Sequence, residues 1–305
     1  MKLEHIVESQ QFTVPLLLEL FERTNTIKRI VARGGTKDYD DKIMASVFYK
    51  PSTRTRFSFE AAMHRLGGSV LSTEQANEFS SEIEGEDLED TIRIFANYCD
   101  VIVLRHPEEG GAKRAAAVSS VPIINAGDGS GGQHPTQALL DLYTIYNECH
   151  TLDGLSVAII GALDKGRTAR SLAYLLSKFE RIKLYFIAPE ELQIKPDILE
   201  HLDEQGVLYY LSNSTKDIIN HVDVVYQTRI VKERLKNKDI DLTKYNIDEN
   251  VLKKMKKNSI IMHPLPRSVE INEAVDKDPR AAYFRQAMNG LFVRMALLTM
   301  LFDKD

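Results

Sequence analysis

The chain reads as an α/β protein of two domains. Each domain is a parallel sheet flanked by helices, and a C-terminal helix packs back on the first. Three observations predict this. Short apolar runs alternate with helical stretches from about residue 43, as parallel sheets require. The alternation begins afresh near Leu155, after one long helical stretch. The terminal segment AAYFRQAMNGLFVRMALLTMLF is helical in spacing and too apolar to stand alone. A chain of 305 residues is long enough for two cores. The boundary is expected near 148–154, giving domains 1–150 (plus the helix at about 285–305) and 151–284.

Taken in order, PLLLELFERTNTIKRIVA has helical periodicity and carries no evident chemistry. MASVFY is an apolar run ending at Lys50-Pro51, and FSFEAAMHRL then has helical spacing. GSVLS reads as a strand, Thr73 to Glu86 as a polar loop and DLEDTIRIFANYC as a helix. The strand VIVLRH ends on Arg105 and His106; GGAKRAAAVS is a short helix and VPIINAG a strand. HPTQALLDLYTIYNEC is a long helix opening on His134. In the second half SVAIIG, IKLYFIAP, VLYYLS, DVVYQT and SIIMHP read as strands with helices between. Ligands of such sheets gather beyond the carboxyl ends of the strands, where Ser52, Arg105 and His134 fall.

Composition narrows the function class. Hydrophobic content of 43% and charged content of 27% are those of an ordinary globular protein. A net charge of −5 points to neither nucleic acid nor membrane as a partner, so an anionic substrate would need locally placed arginines. Cys99 and Cys149 have no metal-ligand or redox spacing and are expected as buried thiols in a reducing compartment. With no signal peptide and no apolar run near eighteen residues, a cytoplasmic location is expected.

The chemistry concentrates in Ser52-Thr53-Arg54-Thr55-Arg56. Ser52 is an N-cap candidate, so hydroxyls, free backbone N–H groups and the positive helix end collect at one point. Such a point binds phosphate, and the guanidinium of Arg54 adds a planar fork of donors. An ordinary capped helix with two surface arginines satisfies the same residues.

The S-T-R-T-R run resembles the carbamoyl phosphate signature of the aspartate/ornithine carbamoyltransferase family. Four more segments fit in the same order: LRHPEEG (104–110), GDGSGGQHPTQALLDLYTI (127–145), GRT (166–168) with TRIVKERL (228–235), and HPLPR (263–267). The aspartate branch fits best, because Pro264 follows His263 where the ornithine branch usually carries a cysteine. The resemblance implies transfer of a carbamoyl group from carbamoyl phosphate to aspartate in pyrimidine biosynthesis, without metal or cofactor. It implies a carbamoyl phosphate-binding first domain and an aspartate-binding second. Ser52, Thr53, Arg54 and Thr55 would hold the phosphate, while Thr55, Arg105 and His134 face the carbonyl oxygen. Gln137, one turn after His134, would reach the carbamoyl nitrogen. The backbone carbonyls of Leu265 and Pro266 would receive the same NH₂, and Arg167 with Arg229 would grip the two carboxylates of aspartate. A homotrimer with active sites at subunit interfaces is also implied, and a regulatory chain or another enzyme of the pathway is a further candidate partner.

One segment offers a competing motif. Gly161 to Thr168 nearly matches the phosphate-binding pattern G-x-x-x-x-G-K-[ST] after a strand, but Arg167 stands where that pattern needs lysine. A carboxylate clamp suits a fork-shaped donor better than a point charge does.

Three departures from the family pattern stand out. The family's mobile loop carries a lysine four residues after a serine, and here Ser80 is followed by Glu84. No lysine lies between Arg65 and Lys113, and 73–91 holds eight acidic residues and no basic one. A unit charge about 4 Å from another, at an effective dielectric of about 20, is worth roughly 4 kcal/mol, so the sign matters. Val231 replaces a usual glutamine, and Ala162 a common aspartate. Lys50, Lys165 or Lys232 could supply the missing cation. The alternative is a homologue with weak or absent aspartate activity, serving as an assembly subunit or acting on another amine.

Overall fold

The computed structural model describes residues 3–74, 86–129, 131–230, 232–236 and 239–303. They group into two compact units: Met1–Thr136 with Asn289–Asp305, and Gln137–Met288. Glu84 and Val231 lie outside the described residues.

The first unit is built on a four-stranded, wholly parallel sheet in the order β2-β1-β3-β4. The strands are β1 (Ile43–Phe48), β2 (Ser69–Glu74), β3 (Val101–Arg105) and β4 (Ile123–Asn125). β1 and β3 are central and continuously buried, which is why they read as unbroken apolar runs rather than alternating ones. The connecting helices are α1 (Val14–Ala32), α2 (Thr53–Arg65), α3 (Leu88–Phe95) and α4 (Gly111–Val118). Asp87 caps α3, its carboxylate accepting from Asp90 N at 2.8 Å. Ahead of α1, Ile6 bridges to Ile124 and closes the free edge of β4.

The second unit holds a five-stranded parallel sheet in the order β7-β6-β5-β8-β9. Its strands are β5 (Ser156–Ile160), β6 (Lys183–Ile187), β7 (Leu208–Ser212), β8 (Val224–Gln227) and β9 (Ile260–Met262). Helices α5 (Pro135–Cys149), α6 (Arg167–Leu176), α7 (Pro196–Glu204) and α8 (Glu249–Lys254) accompany it. The last helix, α9 (Tyr283–Phe302), sends its C-terminal half into the first unit. There Val293 and Met295 to Leu298 are buried, and Asp303, just past the helix, accepts from Tyr39 Oη at 2.8 Å and pairs with Arg23.

Among the described residues no helix is long and apolar enough to cross a membrane. Both cysteines are free thiols and half-buried rather than fully buried, because each lies near the end of a helix. Burial pushes both up to about 11, so neither is a ready thiolate.

Candidate active site

In each sheet the strand order reverses at one point, and it is beyond the carboxyl ends there that open α/β sheets bind their ligands. In the first sheet that point lies between β1 and β3. Phe48 pairs with Arg105 in the parallel register, and Tyr49 N donates to Arg105 O at 3.0 Å. The chain leaving β1 therefore starts beside Arg105 and reaches α2 four residues later.

Ser52 occupies the N-cap position, its carbonyl accepting from Arg56 N at 2.9 Å. Contrary to the expectation from sequence, its hydroxyl makes no capping bond. Its backbone (φ −157°, ψ 81°) lies away from the β-region geometry that aims an N-cap oxygen at the helix. The first turn of α2 carries no acidic residue, so its positive end is neutralised by no carboxylate of its own. Thr55 is buried in that turn.

The two arginines of the motif have different fates. Arg56 bonds Glu60 at 2.9 Å and pairs with Glu74 on β2. Glu60 also accepts from Ser46 Oγ at 3.0 Å and Ser72 Oγ at 2.6 Å. Burial pushes the Glu60 carboxyl up, but these donors outweigh it and hold it below the ordinary range. Arg56 thus ties α2 to β1 and β2. Arg54 is exposed, and partial burial of its guanidinium draws its pKa below the usual value, whereas the Glu60 bond raises that of Arg56. Behind the motif the buried Arg294 of α9 donates to Ser58 Oγ at 2.7 Å and lies 5.0 Å over the Phe59 ring. Sequence patterns gave no hint of that contact across 236 positions.

Arg105 ends β3 half-buried and donates to Ala126 O at 3.1 Å. The neighbouring His106 is structural: it lies edge-on to Tyr49, and its Nδ1 accepts from Glu108 N at 3.2 Å. His134 is buried immediately before α5. The loop between β4 and His134 is clasped by Asp128, whose carboxylate accepts from Gly110 N and Ala112 N at 3.3 Å each and so caps α4. Ser52, Thr53, Arg54, Thr55, Arg105 and His134 all follow or end the β1, β3 and β4 strands of one sheet.

The second sheet reverses between β5 and β8, and Arg167 and Arg229 follow those two strands. Gly161 (φ +132°) is obligatory at the turn, since a Cβ there would meet Thr228 Oγ1 at 2.1 Å. The amides of Gly161, Ala162, Leu163, Asp164 and Gly166 donate to the carbonyls of Ile187, Arg229, Leu192, Leu192 and Leu163. A phosphate cradle needs those N–H groups free, so this turn is no nucleotide-binding loop despite its spacing. Of the arginines nearby, Arg170 is spent on Asp197 and Arg234 on Asp164. Arg229 is exposed and makes no ion pair among the described residues.

Past β9, His263 organises the HPLPR turn. Its Nδ1 accepts from Leu265 N at 2.8 Å, so Nε2 carries the proton given to Glu270 at 2.9 Å. Burial pushes the Glu270 carboxyl up, but His263 and backbone donors hold it below its ordinary 4.5. Leu265 sits at φ +55° before a cis bond to Pro266. Arg267 is engaged by Asp276 and Tyr283. Among the described residues no cluster of His, Cys, Asp or Glu could hold a metal ion.

Two family models match almost end to end. Residues 4–147 match the aspartate/ornithine carbamoyltransferase carbamoyl-P binding domain, and 153–301 the Asp/Orn binding domain. The chain belongs to the aspartate/ornithine carbamoyltransferase family. Within it, the chloroplastic aspartate carbamoyltransferase of Oryza sativa subsp. japonica is 51% identical over 99% of this chain and 85% of that protein. The crystallised catalytic subunit of Methanocaldococcus jannaschii aspartate transcarbamoylase superposes with a TM-score of 0.90 at 44% identity, covering 98% of each chain. The Trypanosoma cruzi aspartate transcarbamoylase in complex with N-(phosphonacetyl)-L-aspartic acid gives 0.92 at 39% identity, covering 98% of this chain and 96% of that one. These carbamoyltransferases share the two-domain parallel architecture expected from the sequence.

Proposed function

We propose that this chain is an aspartate carbamoyltransferase. It moves the carbamoyl group of carbamoyl phosphate to the amine of L-aspartate, giving N-carbamoyl-L-aspartate and phosphate, a step of pyrimidine biosynthesis. The amine lone pair attacks the carbonyl carbon and the π electrons pass to oxygen. Collapse of that oxyanion then breaks the bond to phosphate, which leaves as the nitrogen loses its proton. Nothing in these steps calls for a metal or a cofactor. The rate must come from holding two anions together and from donors aimed at the developing oxyanion.

In this reading Ser52, Thr53, Arg54 and Thr55 hold the phosphate, and Thr55, Arg105 and His134 stabilise the oxyanion. Gln137 and the carbonyls of Leu265 and Pro266 take the carbamoyl NH₂, while Arg167 and Arg229 take the aspartate carboxylates. The observation that carries the reading is the Phe48–Arg105 pairing at the strand-order reversal, which starts the hydroxyl-rich turn beside the end of β3. Fork-shaped donors for an acyl phosphate and its carbonyl oxygen follow from that pairing.

A homotrimer belongs to the same proposal. Leu71 (51% exposed) on edge strand β2 and Tyr98 (60%), just beyond helix α3, line a 200 Å³ hollow, and Ile94 of α3 is exposed as well. A strand edge with no partner among the described residues, beside such a patch, favours a subunit contact. Two free thiols fit a cytoplasmic location.

Glu84, in place of the loop lysine, favours a second reading in which donor binding survives and turnover is weak. Lys50, Lys165 and Lys232 are exposed and are the candidates to replace the missing charge. A steady-state assay with carbamoyl phosphate and aspartate tests both. Turnover at ordinary enzymatic rates supports the first reading, and binding of N-phosphonacetyl-L-aspartate without turnover supports the second. No heat with carbamoyl phosphate or that bisubstrate analogue sinks them together.

A further inference from the structure

Gln137 is half-buried and begins the second unit; Asp141, one turn later on α5, is completely buried. The Asp141 carboxylate gathers side chains from three elements. Its Oδ1 accepts from Gln137 Nε2 at 2.8 Å and from Gln286 Nε2 of α9 at 2.6 Å. Its Oδ2 meets Tyr226 Oη of β8 at 2.6 Å.

The direction of these bonds follows from one backbone group. His263 N–H can only donate, and it donates to Gln286 Oε1 at 2.9 Å. The other end of that amide, Nε2, is therefore the end that faces Asp141. Oδ1 must then be an acceptor, whatever proton the Oδ2 side shares with the phenol. Against an obligatory acceptor, Gln137 can present only its NH₂ group, because the flipped amide would set two lone-pair oxygens at 2.8 Å. With one N–H held by Asp141, the end of the Gln137 amide turned away from that carboxylate is the carbonyl oxygen Oε1.

We propose that Asp141 is a positioning residue for the transfer: by claiming Gln137 Nε2, it fixes Gln137 to offer a carbonyl oxygen to the NH₂ of the carbamoyl donor. The assignment rests on the reading of Gln137 as the contact to that nitrogen. An amide free to rotate would offer NH₂ or C=O with little preference, and would read an acyl group bearing a methyl almost as well as one bearing NH₂. Locked by Asp141, it rewards the NH₂ group and leaves an unsatisfied acceptor against a methyl. Sites built to bond a polar group reject its apolar isostere far more strongly than apolar pockets reject a polar one.

The test compares two stable phosphonates by calorimetry: phosphonoacetamide, which carries the NH₂, and acetonylphosphonate, with methyl in its place. Wild-type protein is expected to bind the amide at least about tenfold more tightly, as a buried acceptor requires. Gln137→Ala sets the floor of that ratio. Asp141→Ala should fall to the same floor, and the double variant should fall no further. Asp141→Asn should retain the ratio, because its amide oxygen can take the Oδ1 place while its NH₂ faces Tyr226 Oη. A purely structural role would weaken both phosphonates alike and leave the ratio unmoved, which would overturn the assignment. Should Asp141→Ala fail to fold, a wild-type ratio near one overturns it equally well. Failure of both phosphonates to bind the wild type defeats the underlying carbamoyl phosphate reading, and this assignment with it.

Discussion

In the proposed reading, the two strand-order reversals bind their anions in opposite ways. At the first, the β1–α2 turn keeps its helix end uncapped by side chains and supplies hydroxyls, with one arginine outward and one turned inward as a strut. At the second, the β5–α6 turn donates five of its backbone amides to neighbouring carbonyls, which in the proposed reading leaves recognition to arginine side chains. A dianionic phosphate is matched by many short, fixed donors around one centre. Two carboxylates are matched by two long forks. The difference teaches that equivalent positions in two similar sheets can divide recognition between main chain and side chain.

The comparison breaks most visibly at Arg105. Arg105→Ala should lower kcat/KM by roughly 100- to 1,000-fold, as loss of one oxyanion donor does, with the thermal midpoint little changed. An effect under about fivefold in steady-state kinetics would remove Arg105 from the oxyanion role. Next in size, Arg229→Ala should raise the aspartate KM by roughly 10- to 150-fold, from about 1.5–3 kcal/mol for a charge-assisted bond. Calorimetric binding of carbamoyl phosphate should not move; if it does, the two halves do not divide recognition as described.

Arg167→Lys sharpens the contrast between backbone and side chain, because it completes the G-x-x-x-x-G-K-T spacing. Aspartate affinity should fall by about tenfold as a fork becomes a point charge. Nucleoside triphosphate should still not bind in equilibrium dialysis, since the turn's amides remain consumed. The smallest change is expected from Glu270→Gln, which keeps a shape able to accept from His263 Nε2 and should cost a few-fold in rate. Its signature is in acid. Glu270 has a folded pKa below its ordinary 4.5, so its stabilisation is present above about pH 4.5 and is lost as pH falls through the lower folded value. Thermal midpoints from pH 7 to pH 3 should separate wild type from variant at the neutral end and converge at the acid end.

Much of this was legible in the chain. Strands buried on both faces give unbroken apolar runs, so VIVLR, SVAII and VVYQ were readable as parallel strands without any partner in view. The turn after β1 was readable because hydroxyl and guanidinium groups cluster just where a helix begins. What escaped was direction. Nothing in S-T-R-T-R says that Arg54 faces out while Arg56 braces a sheet, although Glu60 at i+4 was the available clue. Asp141 stands at the same spacing from Gln137 and could have been suspected for the same reason. Glu270 and Arg294 left no trace, because their partners are set by turn geometry and by a helix 236 positions away.

The consumed amides of the β5–α6 turn have a consequence for engineering. With five of its amides engaged in holding the fold, that loop would need little remodelling when the acceptor molecule is changed. On the proposed roles of Arg167 and Arg229, retargeting to another amine becomes a combinatorial problem centred on a handful of codons around those two positions. The scaffold beneath them would be inherited unaltered.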